Sequence, residues 1–346
     1  MLFALGKAAG AMAAAATQEI EFDAGLIIAP HGSAHAPRPT GLPDGDWIVL
    51  GASHPEPDQL SLAAGQRALA FVEALRPEDR LVALISGGGS SLMAVPRPGL
   101  TLADKIAATR RLLASGAPIA AINRERAAMS MVKAGGLARA SGTRDIRTIV
   151  MSDVPGDDPA LVASGPTILP GTSQAAAAIC ANSTLTLAAI ADAAAASGFE
   201  VCNLGGAIEG DAVARAREHA QMARDAKSSG RPLLIISGGE TSVTVRHPQE
   251  RGGRNLTYAL ALAEAIEGMS GIVALAADSD GIDGNSPAAG AVVDGSSAAA
   301  LRKNGLEARD ALARNRSFLT LAAIGATIHT GPTGVNVNDI RLICVH

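Results

Sequence analysis

Aromatic side chains are scarce in this 346-residue chain, which holds one Trp, one Tyr and five Phe, 2% in all. Surfaces that grip nucleic acid or peptide by stacking on rings are therefore poorly supplied. An excess of one charge is missing too: 29 basic and 33 acidic residues give a formal charge of -4, with no long block of either sign. A nucleic-acid partner is not expected. Only three cysteines occur, Cys180, Cys202 and Cys344, odd in number and without metal-ligand spacing. They read as buried thiols in a reducing compartment. No apolar run reaches membrane length and no basic leader precedes one, so the expectation is a soluble cytoplasmic protein without a membrane partner. The histidines offer no coherent metal set: Pro30 and Gly32-Ser33 argue against a helix carrying His31 and His35 on one face. The Gly-x-Ser-x-Gly elbow of Ser-His-Asp hydrolases is also absent.

What the chain has is glycine, alanine and short aliphatic runs, 48% hydrophobic overall. Its length favours two domains. Strand candidates at 1-5, 24-29, 47-51, 80-85 and 145-151 alternate with helix-like spacing at 60-76 and 103-115, which predicts a buried, mostly parallel sheet sandwiched by helices. Residues 173-198 read as Ala-rich helix broken near Asn182, followed by a strand at 199-204 and a helix at 210-227. Ser228-Ser229-Gly230-Arg231-Pro232 is the best linker signal. The predicted domains are therefore 1-229, Rossmann-like, and 230-346, a smaller α/β domain. In the latter, strands at 233-236, 241-245, 272-276, 290-293, 326-329 and 340-345 and a helix at 255-267 suggest a mixed sheet.

Two of these strands end in the same kind of turn. Residues 81-85 feed Ser86-Gly87-Gly88-Gly89-Ser90-Ser91, and residues 233-236 feed Ser237-Gly238-Gly239-Glu240-Thr241-Ser242. Glycines after a buried strand let backbone N–H groups converge on an anion, so each turn is a candidate phosphate nest serving one shared cleft. Neither is a P-loop, because no Lys follows in the required position. Two acidic loops, Asp153-Val154-Pro155-Gly156-Asp157-Asp158 and Asp278-Ser279-Asp280-Gly281-Ile282-Asp283-Gly284, also follow strands. Crowded carboxylates need a cation or donors to offset them, making Asp153, Asp157, Asp280 and Asp283 candidate Mg²⁺ ligands. Among the bases, Lys7 follows Gly6 at the first strand's end and Arg254 opens a helix after Gly252-Gly253. Arg126, Ser130 and Lys133 would share one helical face. His54 is a candidate substrate contact.

These landmarks resemble the glycerate 2-kinase family, the two-domain enzymes with a MOFRL-type second module. The resemblance rests on Gly6-Lys7-Ala8-Ala9, His54-Pro55-Glu56-Pro57-Asp58, the two Ser-Gly-Gly turns, Ser152-Asp153-Val154-Pro155-Gly156-Asp157, Ser164-Gly165-Pro166-Thr167 and Gly252-Gly253-Arg254-Asn255. It extends through the 278-284 loop to Thr330-Gly331-Pro332-Thr333 and Asn336-Val337-Asn338-Asp339, spanning nearly the whole chain. It implies ATP-dependent phosphorylation of D-glycerate at its 2-hydroxyl, with a divalent cation and a cleft between two domains. On that basis Lys7, Arg254 and Asp153 are assigned to catalysis. Ser86 to Ser90, Ser237 to Glu240 and Lys133 are assigned to ATP, and Arg126, Ser130, His54 and Asn255 to the acid. Where the family continues Arg126 with a basic residue, His and Leu, this chain has Ala127, Ala128 and Met129. The alternatives are an NAD(P)H-dependent hydroxypyruvate reductase, as some relatives are labelled, and a catalytically weakened nucleotide- or sugar-acid-binding protein. A homodimer is the commonest oligomer. The resemblance further implies residues ahead of Met1 and a longer segment between Thr172 and Asn182.

Overall fold

The computed structural model describes residues 1–31, 46–115, 119–154, 156–171, 177–228, 230 and 232–346. The chain divides into two compact units, Met1–Ala181 with Gly334–Asn336, and Asn182–Thr333 with Val337–His346.

The first unit holds strands β1 (Leu2–Leu5), β2 (Ala24–Pro30), β3 (Asp46–Ala52), β4 (Arg80–Ile85), β5 (Asp145–Met151) and β6 (Ala177–Ala181). All pair in parallel, in the order β3-β2-β1-β4-β5-β6. Leu2 to Leu5 and Leu26 to Ile28 are wholly inside, as a sheet covered on both faces requires. The flanking helices are α1 (Ala9–Glu19), α2 (Gln59–Glu73), α3 (Gly89–Leu92), α4 (Leu102–Ala114), α5 (Ile119–Ala128) and α6 (Gly136–Ala140). Chain order leaves β1 in both directions, toward β2 on one side and β4 on the other. Such a reversal opens a crevice at the strands' carboxyl ends, where ligands of doubly wound folds bind.

The second unit contains α7 (Ser183–Ala196), β7 (Glu200–Asn203), β8 (Ile208–Asp211), α8 (Ala212–Lys227), β9 (Leu233–Ser237), β10 (Gly239–Ser242) and α9 (Arg254–Ala265). It continues with β11 (Ile272–Asp278), β12 (Gly290–Asp294), α10 (Ser297–Lys303), α11 (Ala308–Ala313), α12 (Ser317–Ala322), β13 (Thr327–Ile328) and β14 (Asp339–Val345). Its main sheet runs β13-β12-β11-β14-β9-β7 and is mixed, as expected; only β7 and β9 pair in parallel there. Helix α9 is buried from Asn255 to Ala263, and α8 packs on it through Ala212, Ala216, Ala220 and Ala223. Spaced by three or four, these alanines form one smooth stripe that lets the two helices approach closely.

Several expectations change. The units part after Ala181 and not at 229/230, because β7 hydrogen-bonds to β9 and α8 lies on α9, so residues 182–229 belong with the second core. Residues 177–181, expected to be helical, form edge strand β6 beside β5; residues 173–176 lie outside the described residues, as do His35 and Pro155. Asn182 caps α7 as predicted, accepting from Leu185 N at 2.7 Å. The strand expected at 241-245 is β10, which begins at Gly239 and pairs with the unforeseen β8. Cys180 is exposed and Cys202 and Cys344 half-buried, so the three free thiols are not core groups. No helix among the described residues is long and apolar enough to cross a membrane.

Asp58 closes the N-terminus of α2 with a capping box shared with Ser61. Burial alone would push its carboxyl up, yet hydrogen bonds from Ser61 and Ser53 outweigh that and hold it down at about 2. Asp58→Ala is expected to cost about 1 kcal/mol of unfolding free energy near neutral pH. A folded pKa below the unfolded one stabilises above the unfolded value and is lost as pH falls through the folded one. The difference between wild type and variant in urea melts should therefore shrink as pH drops from about 4 to about 2.

Candidate active site

The switch between β1 and β4 gathers several of the predicted residues. Lys7 N donates to Gly87 O at 2.9 Å, joining the turn after β1 to that after β4. A Cβ placed on Gly88 would lie 3.2 Å from Lys7 Cγ and 3.3 Å from His54 Nε2, so these two side chains flank the glycine turn. Gly87 is required for close approach, since a side chain there would overlap the Asp153 carboxylate. Asp153, just past β5, accepts from Asn336 Nδ2 at 2.9 Å. Ser86 does not face outward: it is buried, and its Oγ accepts from Ala8 N at 3.0 Å. It splints the two turns together.

Beside this edge lies a cluster of bases. Helix α5 ends at Ala128, so Arg126, Ser130 and Lys133 do not share a helical face as expected. Ser130 sits in a bridge with Pro96, and the turn carrying Lys133 is laced to another loop by Ala134 N to Ser164 O, 2.8 Å, and Gly135 N to Gly165 O, 2.7 Å. The turning chain nevertheless brings the bases together. Arg126 Nη2 donates to Ser90 Oγ at 2.9 Å. Lys133 Nζ donates to Ser90 Oγ, to Ser90 O at 2.9 Å and to Ser164 Oγ at 3.2 Å. Lys105 Nζ, from α4, donates to Ser130 Oγ at 3.0 Å. Burial, then the charges of Arg126 and Lys105, holds Lys133 well below the ordinary lysine value. Burial and Arg126 bring Lys105 to about 8. Sequence reasoning missed Lys105, although its place three residues after the buried Leu102 marks the inward face of α4.

In the second unit, Arg254 is gripped by carboxylates. Its Nε donates to Asp339 Oδ1 at 2.8 Å, its Nη2 to Asp278 Oδ2 at 2.7 Å, and Glu240 lies 3.4 Å from Nη1. Burial opposes the charge, but Asp339, Asp278 and Glu240 outweigh it and raise the guanidinium above its ordinary value. The side chain lines a cavity of about 330 Å³ with Thr241, Gly253, Thr257 and Asn285 among its walls. Behind it, Asp339 also accepts from Asn255 Nδ2 at 2.7 Å and from Arg341. Arg341 in turn lies over the Tyr258 ring, whose hydroxyl meets His219 Nδ1 at 2.7 Å. Burial and Arg341 lower His219 to about 4, so this ring is neutral near pH 7.

The second Ser-Gly-Gly turn differs from the first. Gly238 N donates to Gly205 O at 2.9 Å, and a side chain at Gly238 would overlap Ser183 Oγ. Ser237 is buried, and Gly239 is already part of β10 paired with β8. The Gly238 N–H is thus spent on protein backbone, and of this group Glu240 reaches toward Arg254. Asn255 is fully buried as a strut between Asp283 and Asp339, not at a surface where an acid could touch it. Asp283 caps α9, accepting from Asn255 N at 3.1 Å and Leu256 N at 2.8 Å, which uses the oxygens expected for a metal. Burial still pushes it up, to about 6. Asp280 Oδ1 accepts from Ile282 N at 3.0 Å, and Asp157 holds a left-handed turn at φ 53. Among the described residues no three His, Cys, Asp or Glu groups converge as a metal cage.

Because Asp339 is completely buried and shared by two guanidinium groups, Asp339→Ala leaves buried Arg341 without a described carboxylate partner and Arg254 with Asp278 and Glu240 alone. Its expected cost is about 3–5 kcal/mol in urea unfolding. Glu240→Ala, removing a half-exposed partner of the same arginine, should cost under about 1 kcal/mol. Equal effects would refute this division of labour.

Residues 1–196 match a family model described as a domain of unknown function, DUF4147, and residues 233–339 match the MOFRL family. Two proteins of Agrobacterium vitis named putative hydroxypyruvate reductase are 39% identical, each over 98% of this chain, with 86% and 97% of their own lengths covered. The D-glycerate 2-kinase of Thermotoga maritima is 32% identical over 98% of this chain and 89% of its own length. The crystal structure of glycerate kinase from that organism aligns with a TM-score of 0.89, covering 100% of this chain and 91% of the other. With its parallel sheet, its mixed sheet and its basic residues at the strand ends, the chain belongs to the two-module glycerate 2-kinase family of DUF4147 and MOFRL proteins.

Proposed function

We propose that this protein phosphorylates D-glycerate at the 2-hydroxyl with ATP, giving 2-phosphoglycerate and ADP. The observation that supports the reading best is the convergence of Lys7, His54 and Asp153 on the glycine turn at the β1/β4 switch. Phosphoryl transfer asks mainly for alignment and charge stabilisation, which this edge offers. Lys7 is assigned to the transferring phosphoryl group, and Arg254, in the second unit, is a second candidate for catalysis. Asp153, which accepts a hydrogen bond from Asn336, is assigned to take the proton as the 2-hydroxyl oxygen bonds to the γ-phosphorus and the bond to ADP breaks. A carboxylate such as Asp153 or Asp280 would hold a magnesium ion brought with the nucleotide, which would supply charge neutralisation. The free thiols accord with a reducing cytoplasm.

The names of the Agrobacterium relatives favour a second reading, hydroxypyruvate reduction. Against it, the β1–α1 turn carries Gly6-Lys7-Ala8-Ala9-Gly10 in place of Gly-x-Gly-x-x-Gly, so the close backbone approach a dinucleotide pyrophosphate needs is not provided.

Incubation with Mg-ATP and D-glycerate should give the ³¹P NMR signal of 2-phosphoglycerate. No phosphorylated product, together with NADH consumption on hydroxypyruvate, would establish the reductase instead. Lys7→Ala is expected to lower kcat about a hundredfold, the loss of roughly 3 kcal/mol of transition-state stabilisation, with little change in melting temperature. Arg254→Ala should lower both kcat and stability, because it takes the guanidinium from Asp278 and leaves Asp339 with Arg341 and Asn255 alone.

A further inference from the structure

Lys105, Arg126 and Lys133 make an unusual group. Lys105 and Lys133 are buried and Arg126 is half-buried, and their partners among the described residues are Asn123 and the hydroxyl or carbonyl oxygens of Ser90, Ser130 and Ser164. None makes an ion pair with a described carboxylate, whereas Arg254, similarly sheltered, has three. Buried cations are normally paired, and like charges held together raise the cost further. A fold that keeps such a group is poised to gain from an anion that enters it. The opening is at Ser90, which is only half-buried, takes hydrogen bonds from both Arg126 and Lys133, and directly follows the glycine turn flanked by Lys7 and His54.

We propose that Lys105, Arg126 and Lys133, with the hydroxyls of Ser90, Ser130 and Ser164, seat a small oxyanion carried by a substrate, and that Lys105 is a recognition residue of that seat. The shared chemistry is a planar or tetrahedral group of charge -1 to -2, a carboxylate or a phosphate. Lys105 acts from α4 through its ammonium charge and through Ser130, whose hydroxyl it orients. Under the kinase reading, on which the identity of the substrates rests, the anion is either the carboxylate of the hydroxy acid or a phosphate of the nucleotide. The lowered affinity of Lys105 for its proton fits a cation awaiting its counter-charge.

Calorimetric titration of the full chain with D-glycerate, with ADP and with inorganic phosphate tests the seat without turnover. In Lys105→Met, affinity for D-glycerate or for ADP should fall tenfold or more, while the other stays within twofold. Loss for D-glycerate places the carboxylate there; loss for ADP places a phosphate. Lys105→Arg should recover part of the lost affinity. Without ligand, Lys105→Met should melt at or above the wild-type temperature, since it removes one of three like charges. The proposal is overturned if both ligands bind the folded Met variant within twofold of wild type, or if wild type binds none of the three probes. It is also overturned if Lys105→Met and Lys105→Gln both fail to fold, which would make the ammonium a structural strut. Normal binding by wild type without ATP-dependent product formation would sink the kinase reading alone.

Discussion

Compensation of buried positive charge is the constraint around which this molecule is arranged. In the second unit the fold satisfies it internally: Asp339 and Asp278 hold Arg254, and Asp339 also takes Arg341. Such a guanidinium is fixed in place, and its charge is secured over any ordinary pH. In the first unit Lys105, Arg126 and Lys133 meet only neutral oxygens among the described residues, and burial drags the two lysines down. One unit presents a finished cation; the other keeps a deficit that an anion can fill. Proteins tolerate that kind of local cost where stability is traded for binding.

The backbone explains why these groups collect where they do. A parallel sheet whose chain order reverses between β1 and β4 leaves its carboxyl edge uncovered at that place. The turns leaving β1 and β4 are tied by Lys7 N to Gly87 O and by Ser86 Oγ to Ala8 N, so Lys7 and the glycine turn form a single unit. Absence of a side chain at Gly87 admits Asp153 from the neighbouring strand. At Gly238 the same economy serves a different end, admitting Ser183 and letting β10 begin at once beside β8. Two similar sequences thus take different roles because different neighbours fill the space beside them.

Much of the fold was legible because it rests on short-range signals. Aliphatic runs such as Leu81 to Ile85 can only be interior strands, and Asn182 ahead of Ser183 announces a helix start. What escaped depended on distant partners. Ala177 to Ala181 has helix-favouring composition, yet pairing with β5 makes it a strand. The linker-like Ser228 to Pro232 misplaced the boundary, since nothing local reveals that Val201 and Cys202 lie beside Leu234 and Ile235. Among candidate site residues, Lys7 and Asp153 were found as residues just past strands and His54 as a candidate substrate contact, and the three meet at one turn. Asn255, assigned through the resemblance, and Asp283, chosen from a crowded acidic loop, are instead a strut and a helix cap. Lys105 gave no motif; only its position on the apolar stripe of α4 could have flagged it.

The protonation of Lys105 is where charge, fold and ligand meet, and it can be read directly by ¹³C NMR of the lysine side chain in the intact protein. The account predicts a titration midpoint near 8 for the free protein, well under the ordinary 10.5, moving upward when D-glycerate or ADP saturates the chain. A midpoint at the ordinary value, or one that neither ligand moves, would contradict it.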